Sequence, residues 1–164
     1  MVSPDTLPVS VIVAGGEAFK RAVTCSLAQS RSVVLAGEAD DISTLCRLLT
    51  ELKVRLALLD ANHFGSATPE VVYQVGLQAP TCRIFVVADD DCDNLVMDAL
   101  RKGAHGHAVK NEGLWEILPE ALSTVASGTA VISPRMAGHI LDEMIHIRQS
   151  PRKHQPPRRS PRLG

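Results

Sequence analysis

Aromatic side chains make up only 3% of this 164-residue chain, so its core has to be built from valine, leucine, isoleucine and alanine. No apolar run approaches the roughly 18 residues that a membrane-spanning helix needs. The opening MVSPDTLPVS has no basic region ahead of an apolar one and does not read as a signal peptide. Cysteine is sparse and scattered. Cys25, Cys46, Cys82 and Cys92 form no CxxC pair and show no His/Cys spacing suited to zinc, so we expect reduced thiols in a cytoplasmic protein, two or three of them serving as core packing. No Ser/His/Asp or Cys/His set is evident in the sequence, and no internal repeat. Acidic residues are missing from the C-terminal end. Residues 1–147 hold 11 basic side chains against 18 acidic ones, a net of −7, whereas the six charges from Arg148 onward are all basic. That split divides an acidic domain from a basic, proline-rich tail.

What is present centres on Val54 to Asp60, VRLALLD. Leu56 to Leu59 form a short continuous apolar run ending in a polar turn, the pattern of a central parallel strand buried on both faces. Asp60 then lies at the strand's carboxyl end, where ligands collect in open α/β sheets. A cap for the following loop ANHFGSATP is the plainer role for that carboxylate, and both readings stand at this point.

Four further apolar runs read as strands: Val9–Val13, Val33–Ala36, Arg83–Val87 and His107–Val109. Helical periodicity falls between them. Phe19, Val23, Leu27 and Ala28 share one face, with Lys20, Arg21 and Gln29 opposite. Asp40 and Asp41 offer N-caps to a helix with Ile42, Leu45, Leu48, Leu49 and Leu52 inward. Thr68-Pro69 reads as N-cap and first-turn proline. A helix carrying Leu95, Met97, Ala99 and Leu100 is expected to stop at Gly103. The next carries Leu114, Ile117, Leu118, Ala121, Leu122 and Val125 to Gly128, and Pro119 inside it should kink it or delay its regular start. An additional helix is capped by Ser133, opened by Pro134 and runs through Ile140, Leu141, Met144 and Ile147. The remainder, SPRKHQPPRRSPRLG, buries nothing and reads as a flexible tail. Strands alternating with helices predict an α/β domain with a parallel sheet covered on both faces. The expected organisation is a domain over 1–130, an added helix over 131–149 and the tail over 150–164.

The stretches VIVAGGEAFKRAV, ALLDANHFG, RIFVVAD, ALRKGAHGHAVK and SGTAVISPRMAGHIL together resemble a response-regulator receiver domain, of the kind that leads NarL/LuxR-type transcription factors. The resemblance implies a flavodoxin-like (CheY-like) doubly wound sheet of five strands in the order 2-1-3-4-5, with an extra C-terminal helix. It also implies a phosphoryl-accepting aspartate, an acidic pair that holds Mg²⁺, a Ser or Thr and a lysine on the phosphoryl oxygens, and a mobile aromatic. Matched position by position, Asp60 is the acceptor and Lys110 the lysine. Ala14 and Gly15 stand for the acidic pair, Ala88 for the hydroxyl and His107 for the aromatic.

Mg²⁺ is usually held by one or two carboxylates together with phosphate oxygens and waters, and phosphoryl transfer depends on that charge neutralisation. Ala14, Gly15, Asp60, Ala88, His107 and Lys110 therefore read as a degenerate pocket with weak or absent Mg²⁺ binding, no cofactor and no catalytic set. Glu17 and Asp89 are close in sequence to the missing groups and could substitute for them. Asp60 and Lys110 would then meet as a direct ion pair. The implied partners are a second copy of the chain, a histidine kinase or other regulatory protein, and DNA only through a helix-turn-helix domain that would follow the tail.

Weaker signals have plainer explanations. Gly15-Gly16 lacks the spacing of GxGxxG and suits a tight turn better than a phosphate cradle. Asp60, His63 and Gly65 read DxxHxG, at the wrong spacing for cobalamin-binding DxHxxG. The carboxylates Asp89, Asp90, Asp91 and Asp93 fit a solvated loop, and His105 and His107 lack a third metal ligand. Arg152, Lys153, Arg158, Arg159 and Arg162 could touch phosphates, but an interdomain linker explains them better. The sequence-based conclusion is a non-catalytic receiver in transcriptional regulation. Its alternatives are a stand-alone module binding a protein or small ligand, and, third, an enzyme on the same fold.

Overall fold

Five short segments rich in β-branched and aliphatic residues pair into one parallel sheet. In the computed structural model, which describes residues 7–149, they are β1 (Val9–Ala14), β2 (Val33–Ala39), β3 (Leu56–Asp60), β4 (Arg83–Ala88) and β5 (Gly106–Val109). Their order is β2-β1-β3-β4-β5, the doubly wound order that the resemblance implied. The helices are α1 (Glu17–Leu27), α2 (Ile42–Glu51), the single turn α3 (Ala61–Phe64), α4 (Thr68–Gln78), α5 (Asp93–Arg101), α6 (Leu114–Ala126) and α7 (Pro134–Gln149). The expected tail, from Ser150, lies outside the described residues. The chain divides into two compact units between Ser133 and Pro134.

Strand alternation explains the layering. Val11, Val13, Leu56, Leu58, Phe85 and Val87 face α1 and α6, where Phe19, Val23, Leu27, Leu114, Leu118, Leu122 and Val125 complete a buried cluster. Ile12, Ala57, Leu59, Ile84 and Val86 are also buried, and alternation turns them to the opposite face, toward α2, α4 and α5. The central strand β3 is buried at all five residues, as an uninterrupted apolar run requires.

Several local expectations need correction. Lys20, expected on the solvent face of α1, is buried because its ammonium is taken up by Asp40 and Glu17, whereas Ala28 is exposed. Asp41 alone caps α2, accepting from the Thr44 amide at 2.8 Å, because Asp40 is committed to Lys20. Strand β2 runs three residues further than its apolar stretch, since at a sheet edge backbone pairing continues through half-exposed positions. Thr68 is the first residue of α4 and not its N-cap, because the turns before it are already helical. Its hydroxyl donates back to the Gly65 carbonyl at 2.7 Å. Leu52 and Ile117, both expected inward, are exposed at the rims of their helices.

Pro119 lies inside α6 and removes one backbone donor. The carbonyl four residues earlier, on Trp115, instead accepts the Ser26 hydroxyl of α1 at 2.5 Å. Gly106 opens β5 where a side chain has no room: a Cβ there would meet the Phe85 ring at 2.8 Å and a Val125 methyl at 2.9 Å.

The ring of His105 is a hydrogen-bond acceptor. Its Nδ1 takes the Ile84 amide at 3.0 Å. Burial, and then the charge of Arg83, hold its pKa below the ordinary 6.5. A lowered histidine pKa stabilises the fold above the unfolded value and loses that contribution as pH falls through the folded one. We therefore expect the urea midpoint to drop between about pH 7 and about pH 5. His105→Gln should flatten that slope, and an unchanged slope in the variant would assign the acid sensitivity to other groups.

Candidate functional site

The carboxyl ends of β1, β3, β4 and β5 meet around Asp60. Because β3 is central and apolar up to its last residue, the carboxylate is carried to the sheet edge while staying 4% exposed. Oδ1 accepts from the Lys110 ammonium at 3.0 Å and from the Asn62 amide at 3.1 Å. Oδ2 faces the Gly16 amide at 3.4 Å. Asp60 thus also caps α3, the plainer of the two roles left open by the sequence. Lys110 is placed by the pairing of β5 with β4, its own amide donating to the Ala88 carbonyl at 2.8 Å. Its ammonium lies 5.1 Å from the centroid of the Phe19 ring, within cation–π range.

The six pocket residues do not all converge on Asp60. Ala88 ends β4, buried, one residue beyond the Asp60–Val87 pair, and His107 is buried within β5. Ala14 is the last residue of β1, buried and in register with Leu59. The positions whose side chains would look at the carboxylate are Gly15 and Gly16, whose Cβ atoms would lie 3.1 and 4.0 Å from Asp60 Oδ2. Gly15 and Gly16, and not Ala14, therefore face Asp60, one residue later than the Ala14-Gly15 match made from the sequence. Apolar character alone could not decide whether β1 ended at Val13 or Ala14.

The two carboxylates that the sequence offered as substitutes each have a partner. Glu17 is exposed and bridges to Lys20 at 2.9 Å, and Asp89 accepts the Asn62 side-chain amide at 2.7 Å. Among the described residues no three His, Cys, Asp or Glu side chains are grouped to hold a metal. At Gly15 a Cβ would stand 2.5 Å from the Asp60 Cβ, so that position has no room for a carboxylate. The donor set does not fit a Mg²⁺ ion, which needs near-octahedral oxygen ligation.

Sequence reasoning missed the contacts beside Asp60. Lys20 ties α1 to Asp40 after β2, and His63 Nε2 donates to the Asp40 carbonyl at 2.7 Å, closing the loop over the same edge. Asp40 first, then Glu17, hold the Lys20 pKa above the ordinary lysine value. The signal for this was a lysine set one residue from an apolar stripe, which also fits a solvent-facing side chain. Cys46 and Cys82 are buried, and burial followed by Cys46 pushes the Cys82 thiol up to about 12.

Comparison with known proteins agrees with this architecture. The chain is 29% identical over 145 residues to the probable transcriptional regulatory protein NarL of Mycobacterium tuberculosis (strain ATCC 25618 / H37Rv), covering 88% of this chain and 67% of that protein. The solved signal receiver domain of M. tuberculosis NarL is 30% identical, with a TM-score of 0.65, over 74% of this chain and 98% of that domain. The isolated receiver domain of RcsB from Salmonella enterica serovar Typhimurium superposes with a TM-score of 0.70 at 20% identity, covering 82% of this chain and 98% of that one. No family model matches the chain. The fold, the Asp60–Lys110 edge and the NarL likeness make this a receiver domain of a response regulator. It belongs to the NarL/LuxR-type family.

Proposed function

We propose that this receiver takes its input without Mg²⁺-dependent phosphorylation of Asp60, and that it does so as the signal-input part of a cytoplasmic transcription regulator. One observation carries the reading. The Asp60 carboxylate is already paired with Lys110 at 3.0 Å, while glycine occupies both positions that face it. A phosphoryl group arriving there would meet one ammonium and no metal, and Ala88 offers no hydroxyl for it to draw inward. Regulation then comes through a ligand or partner that binds one of two conformations more tightly. Intact-mass spectrometry after acetyl phosphate and Mg²⁺ should find Asp60 unmodified. A stoichiometric phosphate adduct that vanishes in Asp60→Asn would refute this.

The partners follow the same family logic. NarL is a transcriptional regulator by name, and solved RcsB dimers have been seen on DNA. DNA contact by this chain would need a helix-turn-helix domain beyond the tail, and a histidine kinase or other regulatory protein would supply the signal. On α7, Leu141, Met144, Ile145 and Ile147 are each about half exposed, an apolar surface suited to a second copy. Light scattering should report a homodimer at high micromolar concentration, and a monomer under those conditions would rule the pairing out.

A further inference from the structure

The opposite edge of the sheet carries a second concave site that shares no residue with the Asp60 pocket. It is a cleft of about 400 Å³ at the amino ends of β1, β3 and β4, within the size range of small-molecule sites. Three cations line it, Lys53, Arg55 and Arg83, with Ser10 and Thr81, and no carboxylate contributes to its wall. Three clustered cations without a carboxylate are unexpected in a region where acidic residues outnumber basic ones by seven. Among the described residues, Lys53 and Arg55 have no ion pair or side-chain hydrogen bond. Arg83 is held in place by its own Nε, which donates to the Val125 carbonyl at 2.5 Å, and this leaves its two terminal nitrogens for another acceptor.

Lys53 adds an independent signal. It is the only non-glycine residue with positive φ among the described residues, at 55°. It follows the C-cap of α2, where the Val54 amide closes back onto the Leu49 carbonyl at 3.0 Å, the position usually given to glycine. A lysine there is strained relative to glycine, and the side chain it keeps lines the cleft.

We infer that this cleft binds a small phosphorylated metabolite. Its phosphoryl groups would lie on Lys53, Arg55 and Arg83, and its organic part would lie along the half-buried Val9 and Ala126. Arginine forks match phosphate oxygens two at a time, and three cations balance a diphosphate better than a single phosphate ester. The cleft is a place where a non-covalent signal could enter the fold. The inference does not rest on the state of Asp60.

The test uses the whole 164-residue chain, labelled with ¹⁵N and titrated with pyrophosphate and, separately, with ADP. Saturable shifts are expected at the amides of Ser10, Lys53 to Leu56, Thr81 and Arg83, with none confined to the basic residues beyond Arg148. Tighter binding of ADP than of pyrophosphate would assign the ligand an organic body, and equal binding would assign a free diphosphate. Arg55→Gln should weaken binding at least tenfold, while Asp60→Asn leaves it unchanged. Lys53→Gly should weaken binding and yet raise the melting temperature, an opposition that a purely structural lysine would not produce. No saturable binding at millimolar probe, or binding that survives both Arg55→Gln and Lys53→Gly, would overturn the site.

Discussion

Gly15→Asp should destabilise the domain by about 3 kcal/mol or more, and should fail to create a magnesium site. The new Cβ would stand 2.5 Å from the Asp60 Cβ and 2.9 Å from the Phe19 ring, closer than real Cβ atoms approach anything. Neither neighbour can give way cheaply. Asp60 is fixed at the end of the buried central strand, and Phe19 is 5% exposed and stacks edge-on with Trp115. The added carboxylate would also repel Asp60. Gly16→Asp is the matched control. Its nearest atoms are His63 Nδ1 at 3.8 Å and Asp60 Oδ2 at 4.0 Å, ordinary contact distances, so it should be tolerated. Urea denaturation with and without Mg²⁺ decides the matter. A Gly15→Asp protein as stable as the parent, and further stabilised by Mg²⁺, would mean that the pocket had kept room for its metal.

Asp60→Ala should cost about 1–3 kcal/mol, the range for a buried group left without its partner. The Asn62 amide would lose its acceptor and the Lys110 ammonium its counter-charge. Lys110 is 27% exposed on its side chain, so water recovers part of the loss and keeps the cost below that of a fully buried pair. Asp60→Asn retains an acceptor oxygen and should fall between the parent and the alanine variant. The comparison separates two kinds of site. A carboxylate retained for chemistry at the expense of the fold would give a more stable protein on removal. Gain of stability in Asp60→Ala would therefore contradict the reading of a fixed structural pair.

Much of this architecture was legible because the strands are unambiguous. Leu56 to Leu59 and Ile84 to Val87 are apolar on consecutive positions, which only a sheet covered on both faces requires. Asp60 and Lys110 were legible as residues at strand ends, where direction is fixed by the strand itself. Helix faces were less secure. Lys20 fits a polar face by type and a buried one by its partners, and those partners come from elsewhere in the chain. Ile117 and Leu52 satisfy helical periodicity yet lie at the rim, because periodicity fixes a direction and not the depth of packing. Which residues after β1 face Asp60 depended on whether Ala14 belonged to the strand, and its pairing with Leu59 and Ala39 decides that. The cleft around Lys53, Arg55 and Arg83 had no linear signature, since sheet topology alone brings residues 53–55 beside residue 83.

The contact between Asp60 and Lys110 also bears on memory. A phosphoryl group on an aspartate outlasts the encounter that placed it there, and its hydrolysis gives a receiver a clock of its own. A carboxylate held by a lysine and backbone amides stores no such record. Under the reading proposed here, the state of this domain follows the momentary concentration of whatever it binds, and it decays as fast as that ligand departs. Its response would be graded and immediate, with duration set by supply and residence time in place of bond lifetime.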